Sequence, residues 1–334
     1  MRRTLALALG ALLVPAAALA DEGGVGFWIP GQYASFAASQ TDPGWSVGLN
    51  SFISKGTTPT GTFTAARGGT RVSGRTQVED IFFVQPGYTF ETPVFGGQLF
   101  LSATFGYSWI NNQADSVIDR DVTRRVRRGK SIIDVTRDVQ TDSNVNESGW
   151  GLDDISPMAT LKWQFGSHNL MVYTTANVPT GYYDPTTLST PGLGFWAIDG
   201  GLGYTYDGGK GLEFSITAGT TYNFQNPTTG YQSGVDGHID VGASWAILDP
   251  FYIGAAGYFY QQLTSDLYAP ADLGAHLSRV AGVGPQAGWS FRGGGFEVDV
   301  NVRGYAEFAA ENRPGGYTAW LTVTISQVKN KGDK

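Results

Sequence analysis

The groups best suited to chemistry gather on one short stretch. His238 and Asp240 stand two residues apart, and Ser244 follows four further on. A carboxylate beside an imidazole can orient a general base, and a hydroxyl can serve as its nucleophile. If the stretch is a strand, all three share one face. Asp240 and Ser244 would then lie about 13 Å apart, too far for the contacts of a catalytic triad. The other histidines, His168 and His276, fall in a short turn and a loop. The sequence holds no metal-ligand cluster, P-loop or dinucleotide fingerprint, and cysteine is absent. GGVGFW and GGLGYTY are glycine-rich, but neither leads from a strand into a helix. The chain therefore reads as one without catalytic site, metal or cofactor.

A larger set of ionisable residues alternates with apolar ones. In FEVDVNVRGYAEF, residues 296–308, Phe296, Val298, Val300 and Val302 alternate with Glu297, Asp299, Asn301 and Arg303, and Tyr305 and Glu307 extend the polar row. Similar rows carry Asp154 with Lys162, Asp199, Glu213, and His238 with Asp240. A soluble sandwich would bury the valines and wet the acids, whereas a membrane barrel turns the valines to lipid and the acids to an aqueous lumen.

Twelve segments show this two-residue period between turn signals: approximately 44–54, 79–91, 98–110, 152–165, 169–179, 195–206, 212–224, 238–247, 251–261, 279–291, 296–309 and 317–328. Most reach ten residues, the length a tilted transmembrane strand needs. Their connections alternate long and short. TPVFGG, GSHN, DGGKG, LDP and RGGG alternate with far longer polar stretches, up to about forty residues after the third strand. Outer-membrane barrels have short periplasmic turns and long external loops. Ten residues tilted at about 40° climb roughly 25 Å, the height of the apolar band. Trp45, Trp109, Trp163, Trp245 and Trp289 lie near strand ends on the apolar rows, where aromatic girdles belong. The expected fold is all-β: a twelve-stranded antiparallel transmembrane barrel, residues 44–328.

Bulk properties agree. MRRTLALALGALLVPAAALA has the basic start, apolar run and small-residue end of a secretory signal. Its removal takes two of 22 basic residues and none of 29 acids, so the net charge moves from −7 to −9. An acidic chain argues against nucleic acid as a partner. The expected location is a Gram-negative outer membrane, reached through the periplasm, with lipid and lipopolysaccharide as neighbours. Seven acids in the polar rows stand against Lys162 and Arg303. Either the two cations pair with acids to hold the wall, or the acidic excess selects solutes, favouring neutral or cationic ones over anions such as benzoate.

Two segments depart from the wall pattern. FWIPGQYASFAASQTDP, residues 27–43, lacks alternation and carries Phe27, Trp28, Tyr33 and Phe36. It can form one or two helical turns, as a lumen plug or as a periplasmic strap. RRVRRGK, residues 124–130, suits lipopolysaccharide phosphates, although seven acids in the same loop favour a self-neutralising hairpin. Residues 329–334 form a charged tail where such barrels commonly end on an aromatic residue.

The segments GFWIPGQYASFAA, NVPTGYYDP, NFQNPTTGYQSGVDGHID, GYFYQQLTSD and VAGVGPQAGW, in this order, resemble the phenol meta-pathway outer-membrane protein family. The resemblance implies an envelope barrel for uptake of small aromatic or hydrophobic compounds, and it supplies no site residues. The expectation is a passive channel. A closed structural or adhesive barrel, or an outer-membrane lipid hydrolase using His238, are the alternatives.

Overall fold

Alternation in the sequence becomes a wall with two unlike faces. The computed structural model describes residues 26–59, 64–66, 70–72, 74–128, 131–209, 211–267 and 277–328. The signal-like start, His276 and the charged tail lie outside the described residues. The wall comprises β1 (Gly44–Thr57), β4 (Arg75–Thr89), β5 (Gln98–Arg128), β6 (Ser131–Leu152), β7 (Ser156–Phe165), β8 (His168–Asn177), β9 (Ala197–Asp207), β10 (Leu212–Asn223), β11 (Asp236–Leu248), β12 (Phe251–Gln262), β13 (Arg279–Gly293), β14 (Phe296–Glu311) and β15 (Gly315–Gln327). A small hairpin, β2 (Thr64–Ala66) with β3 (Thr70–Val72), forms a separate two-stranded sheet.

Neighbours pair antiparallel, and β1 pairs with both β4 and β15, which closes the ring. β6 and β7 each pair with β5 and share one place in it. The result is a closed antiparallel barrel of twelve wall positions, with no helix among the described residues.

β8 shows why the faces differ. Leu170 and Val172 point outward and are exposed, while Met171 and Tyr173 point inward and are buried. Outward apolar side chains recur around the ring, Leu202, Val302 and Leu321 among them. A surface this apolar suits acyl chains, not water. Trp45, Trp245 and Trp289 lie exposed toward the short-turn end, and Trp109, Trp150 and Trp196 toward the long-loop end. Indole rings favour these two membrane interfaces.

Two wall segments differ from the sequence reading. The forty-residue loop after the third strand is mostly a hairpin: β5 and β6 stay paired from Tyr107↔Leu152 to Arg128↔Ser131. β4 begins opposite Ala114, so the 14 residues of β5 beyond it extend roughly 45 Å further along the strand. Dense charge hid the alternation there. The fourth strand is also broken, at residues 153–155. Gly181 of the following loop packs there, where a Cβ would sit 2.6 Å from the Asp153 backbone. Only glycine permits that approach.

Candidate functional site

Residues 27–43 run inside the barrel, from near β11 and β12 at the long-loop end to β1 at the other. They form hydrogen-bonded turns and not the expected helical turns, and Phe36 adopts φ 63°. Backbone without a ladder must find other partners, and here the wall supplies them. Asp240 Oδ1 accepts from Gly31 N at 2.9 Å, while Gly31 O accepts from Arg303 Nε at 2.9 Å and from the Tyr305 hydroxyl at 3.2 Å. Arg303 Nη2 donates to Gln32 O at 2.9 Å. Gly31 itself needs to be glycine, because its φ is 79° and a Cβ would lie 2.9 Å from the Tyr305 ring. Lower down, Glu213 Oε1 accepts from Phe36 N, Thr205 Oγ1 accepts from Ala38 N, and Lys162 Nζ donates to Ser39 O at 2.9 Å.

The pairing with acids expected of the two cations is thereby corrected, although Arg303 Nη1 also donates to Thr322 across the wall at 3.2 Å. Lys162 and Arg303 donate to segment carbonyls, and among the described residues neither forms an ion pair. A carbonyl needs a donor wherever backbone is buried without a ladder, and these side chains reach it.

The imagined hydrolytic group does not assemble either. His238 Nε2 lies 3.0 Å from Asp199 Oδ2 and 3.3 Å from the Tyr173 hydroxyl, and Trp28 stacks on its ring at 3.6 Å between centroids. Asp240 is engaged with Gly31, and Ser244 donates to Glu213 Oε2 at 2.9 Å. The indole covers the imidazole, so no substrate reaches it from that side.

The remaining acids have separate duties. Asp154 lies in the strand break and organises residues 178–196: its carboxylate accepts from Asn177 Nδ2, Gly181 N and Leu193 N at 2.7–2.9 Å. In that loop the Thr186 hydroxyl, then its amide, holds the Asp184 carboxyl below the usual range. Glu297 pairs with Arg292 at 2.7 Å at the short-turn rim, and Asp299 accepts from Ser290. Glu307 accepts from the Tyr258 hydroxyl and from Gly316 N.

The segment fills one side of the barrel and leaves two adjacent chambers on the other, along β1, β4, β5, β7 and β15. The outer chamber has a volume of about 160 Å³ and the inner about 350 Å³. Phe27, Trp28, Ile29, Phe83 and Ser156 line both and mark the constriction between them. Glu79, Asp153, Asp154 and Glu307 face the outer chamber with Arg313. Among the described residues, Lys162 is the one charged side chain lining the inner chamber. Asp199, Glu213 and Asp240 line neither, being buried and bonded to wall or segment groups. A solute therefore meets an acidic excess in the outer chamber and not in the inner one.

Sequence reasoning missed Glu79, Asp153, Ile29, Phe83, Arg313 and Trp320 as chamber residues. Arg313 sits in a turn, and its guanidinium lies 4.5 Å from the Tyr260 ring. Trp320 stands on the inward row of β15, a position that its two-residue period marks.

The same arrangement has a family. Residues 60–323 match the model of the family described as "Putative MetA-pathway of phenol degradation". The chain belongs to this family. Among solved structures it is similar to the COG4313 outer membrane channel from Pseudomonas putida F1, at 11% identity and TM-score 0.60, covering 88% of this chain and 100% of that one. The likeness to a FadL homologue from Pseudomonas aeruginosa is weaker, at 10% identity and TM-score 0.42, over 86% and 90%. No curated protein matches. The family member described here has the closed barrel of outer-membrane proteins.

Proposed function

We propose that the protein is a passive channel for small hydrophobic or aromatic compounds in the Gram-negative outer membrane, exported with loss of its first twenty residues. One observation carries this reading. Apolar side chains, Phe52, Phe83, Met158 and Trp320 of the wall with Phe27 and Ile29 of the segment, line the two chambers. Such a lining lets an apolar solute move between like surfaces, whereas hydrated solutes must shed water at the constriction. Family membership supports the same class of cargo. Catalysis is not part of the reading, because the His238 group is covered by Trp28.

The test is flux through proteoliposomes of the purified protein. Benzyl alcohol should cross faster than in protein-free vesicles, and glucose should not. Equal rates with and without protein would remove the channel reading. The projecting β5–β6 hairpin favours adhesion as a second reading. Deleting residues 117–142 should then abolish surface binding and leave flux intact.

A further inference from the structure

The inner chamber carries an unbalanced set of hydrogen-bond donors. Lys162 and Thr160 stand two apart on the inward face of β7 and both line it. Their Cα atoms are therefore about 6.6 Å apart, with side chains parallel. An ammonium has three donors, and Lys162 places one on Ser39 O. No carboxylate lies within ion-pair reach of it among the described residues. Thr160 is 4% exposed, and its hydroxyl has no protein partner. On the facing wall Trp320 is 5% exposed, and its indole N–H is likewise without one. Phe83, Phe100, Met158 and Met171 also line the chamber. The volume of about 350 Å³ falls in the range of small-molecule sites, about 300–1,000 Å³.

We infer that the inner chamber is a binding subsite for the carboxylate end of a compact apolar acid. Its oxygens accept from the Lys162 ammonium and the Thr160 hydroxyl, and its apolar body lies along the phenylalanine and methionine side chains. Trp320 Nε1–H is placed for an acceptor at the far end of the solute. The charge logic is the reverse of the one that the acid-rich sequence suggests. Asp199 is bonded within the wall, and Glu213 and Asp240 are bonded to the N-terminal segment, which leaves a lone cation facing the chamber. The acids of the outer chamber oppose hydrated anions, so the apolar body supplies the attraction that brings the solute inward.

This inference deepens the channel reading and rests on it for its physiological meaning, but equilibrium binding tests it separately. Benzoate, benzyl alcohol and benzylamine are titrated calorimetrically into the full-length protein in detergent at neutral pH. Benzoate should bind roughly tenfold more tightly than benzylamine, as a charge-assisted hydrogen bond in a partly buried site implies. Lys162→Met should lower the benzoate to benzyl alcohol affinity ratio by roughly tenfold or more. Thr160→Val, which does not touch the segment, should lower it by about fivefold. Lys162→Arg should retain the preference for benzoate. Benzylamine binding at least as tightly as benzoate, or an unchanged ratio in both Lys162→Met and Thr160→Val, would overturn the subsite. Benzyl alcohol flux without benzoate preference would refute the subsite alone. Benzoate preference without any flux would leave the subsite standing and remove the channel.

Discussion

Replacing Arg303 with methionine should loosen the segment that fills one side of the lumen. Methionine keeps most of the buried volume and removes the donors. Two of those donors hold segment carbonyls at 2.9 Å, on Gly31 and Gln32. A hydrogen bond from a charged donor contributes about 1.5–3 kcal/mol. Water entering an undocked lumen would replace part of that, so about 3 kcal/mol is a reasonable net loss for the pair. A shift of that size changes the ratio of undocked to docked segment by about 150-fold. Single-channel recording in planar bilayers reads the result. The variant should show larger conductance, or frequent steps to a larger level, compared with the wild type. If the folded variant conducts as the wild type does, these bonds do not hold the segment and the clamp is misassigned.

Three further outcomes follow from the same geometry. Gly31→Ala places a Cβ against Tyr305 at a φ of 79°; left-handed backbone alone costs about 1–2 kcal/mol, so the unfolding temperature in detergent should fall, and an unchanged value would contradict the packing. Asp154→Ala removes the acceptor of two loop amides and of Asn177; proteolysis within residues 178–196 should accelerate by roughly tenfold, and equal cleavage rates would show that other contacts hold the loop. Ile29→Ala trims the constriction between the chambers; flux of two-ring aromatics should rise relative to one-ring aromatics in proteoliposomes, and an unchanged ratio would place the limiting barrier elsewhere.

Much of the barrel is legible in the chain because strand orientation is a local property. Leu170 and Met171 are neighbours, yet one meets lipid and the other the lumen, and the two-residue period alone says so. Turn residues likewise announce the short hairpins. The β5–β6 hairpin escaped because its charged residues stand above the membrane, where no apolar face is required. The break at residues 153–155 escaped because its cause, the packing of Gly181, comes from a loop almost thirty residues later.

The polar rows show the same division. Asp199, Glu213, Asp240, Glu307 and Arg303 can all be assigned to the inward side from sequence. Their charges cannot be added up into a lumen potential, because each meaning depends on what faces it. Asp240 and Arg303 hold opposite ends of the Gly31 peptide, a residue more than 200 positions earlier in the chain. The sequence by itself determined which side chains turn inward and how many strands the wall needs, since both follow from contacts between near neighbours. The tertiary structure decided which inward groups bind the chain's own backbone and which face a solute, because only ring closure brings a ladderless segment within hydrogen-bonding reach of distant strands.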